Sequence, residues 1–163
     1  MSKSLVSLIL AVHEPGPNLR QACENALAEA PGAEVIVVDD ASTQELWDTI
    51  GDLRVQYFRL GQRRGMGGAR NYGASRASGD YLIFLRIEDC SATDQVRWRI
   101  DHFEANPSVA LIVGTSKPDT DASQSKPETF DSAGALAFRQ SYFHELGGFD
   151  ESLPLSPSMG EQI

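Results

Sequence analysis

The sequence predicts an α/β protein built on a mostly parallel, Rossmann-like sheet with helices on both faces. Three observations carry that expectation. Short apolar runs rich in β-branched residues alternate with stretches of helical periodicity, the order that gives parallel strands joined by crossover helices. Two of the runs, Val35 to Val38 and Tyr81 to Leu85, are apolar at every position, as strands covered on both faces are. Both stop abruptly at charged residues, Asp39-Asp40 and Arg86-Ile87-Glu88-Asp89. Ligands of open α/β sheets bind at the carboxyl edge of the strands, so these ends are the first candidates for a site.

Leu5 to Val12 is the first buried strand. It superficially resembles the core of a signal peptide, but it is short, Ser7 interrupts it, and no small-residue cleavage site precedes His13-Glu14-Pro15. Asn18 to Ala30 places Leu19, Ala22, Cys23, Ala26 and Leu27 on one helical stripe, closed by Pro31-Gly32. Glu34 to Val38 is the second strand. Ser42 and Glu45 have the spacing of a capping box, which predicts a short helix over Gln44 to Ile50. Val55 to Leu60 is a third strand, and Met66 to Ala77 a helix opened by glycines. Tyr81 to Leu85 is the fourth strand, and Asp94 to Asn106 an amphipathic helix stopped by Pro107. Val109 to Val113 reads as another buried strand and Ala133 to Phe138 as one more, followed by a short helix to Leu146. Between them Ser116 to Asp131 is polar, holds two prolines and has no periodicity, which marks a loop.

A chain of 163 residues has room for one well-formed core, so a single domain is expected over residues 1–163. Its net charge of −9 argues against nucleic acid as a partner and against electrostatic docking to anionic lipid. No run approaches the roughly 20 apolar residues of a membrane span, so no transmembrane segment is expected. The two cysteines, Cys23 and Cys90, form no disulfide framework and suit a reducing, cytoplasmic location. With three scattered histidines they give no zinc site either.

Two carboxylate-tipped strands at a common edge could hold a divalent cation, a ribose, or both. Mg²⁺ and Mn²⁺ prefer oxygen ligands and usually share them with substrate phosphates. The plainer alternative is that Asp39 and Asp40 cap a turn. The stretch Arg63-Arg-Gly-Met-Gly-Gly-Ala-Arg-Asn-Tyr-Gly73 is not a Rossmann fingerprint, since Arg70 stands where a third glycine is needed. It is not a P-loop either, since the Gly-Lys-Ser/Thr ending is missing. Its backbone amides and the cations of Arg63, Arg64 and Arg70 at a helix N-terminus suit an anion such as a nucleotide diphosphate. Here the alternative is glycines serving close helix packing, with solvated arginines.

Five segments, in order, carry a resemblance. They are Val6-Ser-Leu-Ile-Leu10, Val37-Val-Asp-Asp-Ala-Ser-Thr43, Gly65 with Ala69-Arg-Asn-Tyr-Gly73, Ala77-Ser-Gly-Asp-Tyr-Leu-Ile-Phe-Leu85, and Gly147-Gly-Phe-Asp-Glu151. Together they resemble a family 2 glycosyltransferase of the GT-A fold over essentially the whole length. The resemblance implies a nucleotide-diphosphate sugar donor at the carboxyl edge of the sheet, and transfer of the sugar to an acceptor hydroxyl with inversion. It implies nucleotide-binding roles for His13 beside the base, Asp39 and Asp40 at base and ribose, and Arg70 near the nucleotide. It places Gly147, Gly148, Phe149 and Asp150 on the acceptor side. The sugar, the base and the acceptor (glycan, lipid or protein) are left open. Family analogy adds the cytosolic face of a membrane as a place of action.

Three departures fall on the chemistry. Where the family pattern has Leu-Asp-x-Asp-Asp after the fourth strand, this chain has Leu85-Arg86-Ile87-Glu88-Asp89. Glu88 and Asp89 remain as candidate ligands for Mn²⁺ or Mg²⁺. Arg86, however, is donor-only and always charged, so it cannot ligate a metal and opposes one at short range. Arg86 is instead a candidate partner of the diphosphate, which would make the transferase metal-independent. The pair that supplies the general base in the family stands here as Glu161-Gln162, and glutamine cannot act as a base. The sequence stops at Ile163 where the pattern continues, so the C-terminal acceptor-side segments are expected to be lacking. These departures keep a second reading open, a catalytically degenerate module of the same fold that binds nucleotide or sugar. A Rossmann-like binder outside the family is disfavoured by Gly147-Gly-Phe-Asp-Glu151, which has no role in a dinucleotide fold.

Overall fold

Four strands that run parallel, β1 (Val6–Val12), β2 (Glu34–Asp39), β3 (Gln56–Arg59) and β4 (Tyr81–Leu85), form the centre and one flank of a single sheet. β5 (Leu111–Val113) and β6 (Leu136–Arg139) extend it antiparallel, giving the order β3-β2-β1-β4-β6-β5. The structure is a computed structural model and describes residues 5–91, 95–113 and 136–152. Among the described residues five α-helices pack on the sheet: α1 (Leu19–Glu29), α2 (Trp47–Ile50), α3 (Gly65–Arg76), α4 (Gln95–Ala105) and α5 (Gln140–Glu145).

The central strands β1, β2 and β4 are covered on both faces, as their unbroken apolar runs require. All of β1 and β4 is buried, and β2 is buried from Val35 onward. Leu8, Leu10, Val35, Val37, Ile83 and Leu85 pack with Leu19, Ala22, Cys23 and Ala26 of α1, Ile50 of α2, and Val96 and Phe103 of α4. The alternate residues Ile9, Ala11, Ile36, Val38, Leu82 and Phe84 pack with Ala69 and Ala74 of α3 and Phe143 of α5. Each fully buried aliphatic or aromatic side chain contributes roughly 1.5–3 kcal/mol, so these two layers hold the helices in place.

α3 depends on that packing most. It contains four glycines, Gly65, Gly67, Gly68 and Gly73; the three inside the helix, Gly67, Gly68 and Gly73, each cost about 0.5–1 kcal/mol relative to alanine. What they permit is close approach. A Cβ at Gly73 would stand 2.6 Å from Ile9 Cγ2 and 3.2 Å from Val38 Cγ2. Gly73 therefore takes the close-packing role on β1 and β2, while Gly67 and Gly68 face Phe149–Glu151 and Arg64.

Two expectations are corrected. The helix expected over Gln44 to Ile50 is only α2, and the Ser42–Glu45 capping box does not form, because Ser42 Oγ accepts the Glu14 amide at 3.0 Å. β5 is not a buried strand but the sheet margin: Ile112 is buried, while Leu111 and Val113 are 37% and 48% exposed. The loop expected over Ser116 to Asp131 lies outside the described residues. Cys23 and Cys90 are buried free thiols, and burial pushes the Cys23 thiol up to about 11. No helix among the described residues is long and apolar enough to cross a membrane.

Candidate functional site

Parallel pairing brings the carboxyl ends of β1, β2 and β4 to one edge, with Val12 opposite Asp39 and Leu10 opposite Leu85. From β1 the chain builds outward to β2 and β3 on one side, while β4 lies on the other. The crevice of such a sheet opens at this reversal. His13, immediately after β1, and Arg86, immediately after β4, frame it. The only non-glycine residues with positive φ among those described, Glu14 (48°) and Ala41 (57°), also lie in the loops of this edge. Backbone of that kind costs about 1–3 kcal/mol and persists where its surroundings over-determine it.

The surroundings here are a mutual staple. The Glu14 amide donates to Ser42 Oγ at 3.0 Å, the Thr43 amide donates to Glu14 Oε1 at 2.5 Å, and Arg59 Nη2 donates to the Ser42 carbonyl at 2.7 Å. The Thr43 hydrogen bond holds the Glu14 carboxyl below its ordinary range.

Asp39 and Asp40 are both buried, at 0% and 2% exposure. A buried carboxylate must be partnered, and both are. Asp39 Oδ1 accepts the Ser42 amide at 2.8 Å, and Oδ2 accepts the Tyr57 hydroxyl at 2.9 Å with Arg59 Nε at 3.6 Å. Burial, with the hydrogen bond to Asp39, pushes the Tyr57 hydroxyl up to about 12. Asp40 Oδ1 and Oδ2 accept the amides of Arg64 and Gly65 at 2.7 and 2.8 Å. These are the first orphan donors of α3, where the helix dipole favours negative charge. At the head of α3 the Asp40 carboxylate is thus an internal anion on the glycine-rich stretch. The Asp40 carbonyl faces His13 Nδ1 at 2.9 Å. A carbonyl can only accept, so Nδ1 carries the proton, and in the neutral ring Nε2 is left as the acceptor.

The Gly147–Glu151 segment, expected on the acceptor side, meets the same helix. After α5, Gly147 and Gly148 take φ of 81° and 80°, which turns the chain back toward α3. Phe149 then inserts its ring beside Phe84, Phe143 and Phe138, at centroid distances of 5.0, 5.4 and 6.1 Å. Asn71 Oδ1 accepts the Phe149 amide at 2.8 Å, and its Nδ2 donates to the Phe149 carbonyl and to Glu151 Oε1, each at 2.9 Å. Arg64 Nη2 donates to Glu151 Oε2 at 2.8 Å. The guanidinium of Arg70 stands 5.5 Å from the Phe149 ring centroid. Asp150 Oδ1 accepts from the Ser152 amide and hydroxyl at 2.8 and 2.7 Å.

The structure therefore gathers His13, Asp39 and Asp40 at the ends of β1 and β2, and joins Arg70 to Gly147–Asp150 through α3. Arg86 is half-buried at the end of β4, where its carbonyl accepts from Cys90 Sγ at 3.3 Å. Glu88 is exposed in the 3₁₀ turn Ile87–Ser91. The side chain of Asp89 and the whole of Glu161 and Gln162 lie outside the described residues. Among the described residues no group of three His, Cys, Asp or Glu could hold a metal ion. The described carboxylate in the turn after β4 that a cation could use is Glu88. A cavity of about 430 Å³ lies at the opposite edge, between the start of β1, the turn after α1 and α4, away from these residues.

The sequence profile of Glycosyl transferase family 2 matches residues 7–153. The chain belongs to this family. The succinoglycan biosynthesis protein ExoO of Rhizobium meliloti (strain 1021) is 36% identical over 104 residues, 61% of this chain and 30% of ExoO. The Escherichia coli UDP-Glc:alpha-D-GlcNAc-diphosphoundecaprenol beta-1,3-glucosyltransferase WfaP is 32% identical over 104 residues, 61% of this chain and 41% of WfaP. Among solved structures, the mannosyltransferase PcManGT from Pyrobaculum calidifontis, in complex with GDP-Man and Mn²⁺, superposes with a TM-score of 0.65 at 20% identity. That match covers 91% of this chain and 48% of PcManGT. The shared architecture is the GT-A fold. The chain spans less than half the length of these two curated relatives.

Within this family 2 chain, Asn71 and Glu151 escaped the sequence reading as contributors to the site, and Arg64, read there as a cation for an anion, is found on Glu151. Asn71 and Glu151 each lie in a recognised motif, and that co-occurrence of polar residues was the available signal. That the two motifs clasp each other needed the fold. Glu14 and Ser42 were missed for the same reason, since the bonds that staple the two loops cross 28 and 29 residues.

Proposed function

We propose that this chain is the donor-binding portion of a glycosyltransferase that takes a nucleoside-diphosphate sugar and transfers the sugar to an acceptor hydroxyl with inversion. The observation that carries it is membership of Glycosyl transferase family 2 over residues 7–153. Two likenesses support the donor class: the name of WfaP specifies UDP-Glc, and PcManGT was solved with GDP-Man and Mn²⁺. The donor would lie in the crevice between β1 and β4. His13, with Nε2 as the acceptor, would border the base, and Arg70 would lie by the nucleotide. Asp39 and Asp40 would act through the loops they fix, because their oxygens already hold Ser42, Tyr57, Arg64 and Gly65. Gly147 to Asp150 would shape the acceptor side.

A cation at Glu88 and Asp89 would neutralise charge on the departing diphosphate. A second version of the mechanism is favoured by Arg86 at the mouth of the crevice. Its guanidinium would pair with the diphosphate in the metal's stead, since planar guanidinium groups bind phosphate bidentately. A lipid-linked acceptor at the cytosolic face of a membrane is consistent with the acceptor named for WfaP.

Calorimetric titration with UDP, GDP and their sugar nucleotides, with and without Mn²⁺, tests this. Binding that requires Mn²⁺ supports the cation version. Binding indifferent to Mn²⁺ supports Arg86 as the diphosphate partner. No binding of any nucleotide would remove the transferase assignment.

A further inference from the structure

Hydrogen bonds at the head of α3 run on in one line. His13 Nδ1 donates to the Asp40 carbonyl at 2.9 Å, and the Asp40 carboxylate takes the Arg64 and Gly65 amides. Arg64 Nη2 then reaches Glu151 Oε2, and Asn71 Nδ2 holds both Glu151 Oε1 and the Phe149 carbonyl. The line begins beside the crevice and ends on the segment that follows the Gly147-Gly148 turn. We propose that Arg64, Asn71 and Glu151 are positioning residues that couple occupancy of the nucleotide side to placement of the Phe149–Glu151 segment on the acceptor side. This rests on the transferase assignment and adds residues to which that assignment gives no role.

The geometry is specific to these side chains. Asn71 commits both Nδ2 hydrogens and accepts the Phe149 amide at Oδ1, so one side-chain amide pairs with both polar groups of one backbone residue. Aspartate has no hydrogens to give at that position, and glutamine is longer by a methylene. The close approach is built into the neighbours. A Cβ at Gly148 would stand 2.6 Å from Asn71 Oδ1, and one at Gly67 would stand 3.2 Å from the Asp150 carbonyl. The Phe149 ring anchors the segment to the sheet, but the direction of the backbone beyond it is set by Asn71 and Glu151. Hydrogen bonds from Asn71 and then Arg64 also hold the Glu151 carboxyl below its ordinary range, so the clasp is charged at neutral pH. Because Asp40 grips the first amides of the same helix, a ligand that settles the His13–Asp40 loop settles the root of the clasp.

Amide hydrogen exchange across residues 147–152, read with and without UDP or GDP plus Mn²⁺, tests the coupling. In the unaltered protein, exchange at Phe149 is expected to slow about fivefold or more when nucleotide binds. In Asn71→Asp, and separately in Glu151→Gln at a half-exposed surface position, that slowing is expected to vanish. Coupling is reciprocal, so nucleotide affinity in the variants falls by no more than the factor lost. A merely structural clasp would raise exchange equally in the free and bound states and leave the slowing intact, and that result overturns the proposal. So does nucleotide binding to the unaltered protein without any slowing. Failure of every nucleotide to bind is a different outcome: it removes the transferase assignment, and the coupling falls with it.

Discussion

Asp40 and Gly65 stand 25 residues apart in sequence, and Asp40 Oδ2 accepts the Gly65 amide at 2.8 Å. With the Arg64 amide on Oδ1, one buried carboxylate caps a helix that has no local side-chain cap. Replacing Asp40 with alanine orphans both amides in a largely dry site. Charge-assisted hydrogen bonds contribute about 1.5–3 kcal/mol each, and a lost N-cap typically about 1 kcal/mol. Asp40→Ala is therefore expected to cost about 2–4 kcal/mol in urea unfolding, and Asp40→Asn less. A loss below about 0.5 kcal/mol would mean that water replaces the carboxylate. Any drop in nucleotide affinity of these variants has to be compared with their folded fraction, because the residue acts on the fold first.

Glycine substitutions separate close packing from mere flexibility. Gly73→Ala drives a methyl to 2.6 Å from Ile9 Cγ2, between α3 and the sheet. Overpacking of this sort costs about 1–3 kcal/mol. Gly61→Ala meets nothing within 4 Å, so it is expected to be neutral or to stabilise by about 0.4–1 kcal/mol through the unfolded chain. Thermal unfolding of the two single variants checks this pair. Equal behaviour would mean that α3 shifts freely off β1.

Much of this architecture is written in local pattern. Val35–Val38 and Tyr81–Leu85 are apolar throughout because helices cover both of their faces, and that alone places Asp39 and Arg86 at a carboxyl edge. Ser42 and Glu45 mislead because capping-box spacing is a local signal, whereas the Ser42 hydroxyl is claimed by Glu14, 28 residues earlier. Val109 to Val113 resembles the buried strands because hydrophobicity does not say whether a strand is central or marginal. At the site, residue types are legible and their partners are not. Asp40 reads as a ligand for nucleotide, and the fold adds two partners that sequence does not show, the orphan amides at the head of α3.

Glu34 makes stability depend on pH. Burial pushes its carboxyl up, but hydrogen bonds from the Ser7 hydroxyl, the Ser78 amide and hydroxyl, and the Gln56 side chain outweigh it, so the group sits below its ordinary 4.5. A carboxyl depressed on folding contributes stability above its unfolded pKa and loses it as pH falls through the folded value. The melting temperature is therefore expected to hold from neutral pH to about 4.5 and to decline below it. Glu14 and Glu151 are depressed too and steepen the same decline. Glu34→Gln isolates the contribution of Glu34: its melting temperature starts lower at neutral pH, and the gap to the parent narrows in acid. A gap that stays constant with pH would show that the Ser7–Glu34–Ser78 network is not what titrates.

Arg86→Asp asks which charge the crevice needs. As it stands, a permanent cation follows β4 where a metal ligand is found in the family pattern, and Glu88 is the only carboxylate with a described side chain in the turn behind it. An arginine here repels a divalent ion and attracts a diphosphate. The substitution removes one phosphate partner and supplies an oxygen ligand. If Arg86 holds the diphosphate, UDP or GDP affinity in metal-free buffer falls about tenfold or more, since a lost charge-assisted bond of 1.5–3 kcal/mol corresponds to that factor. Added Mn²⁺ then restores it, because the introduced carboxylate and Glu88 give the pair of oxygen ligands that such ions share with phosphates. If instead the metal-free affinity is unchanged, Arg86 does not touch the diphosphate, and the mouth of the crevice must lie nearer to Arg70 and His13.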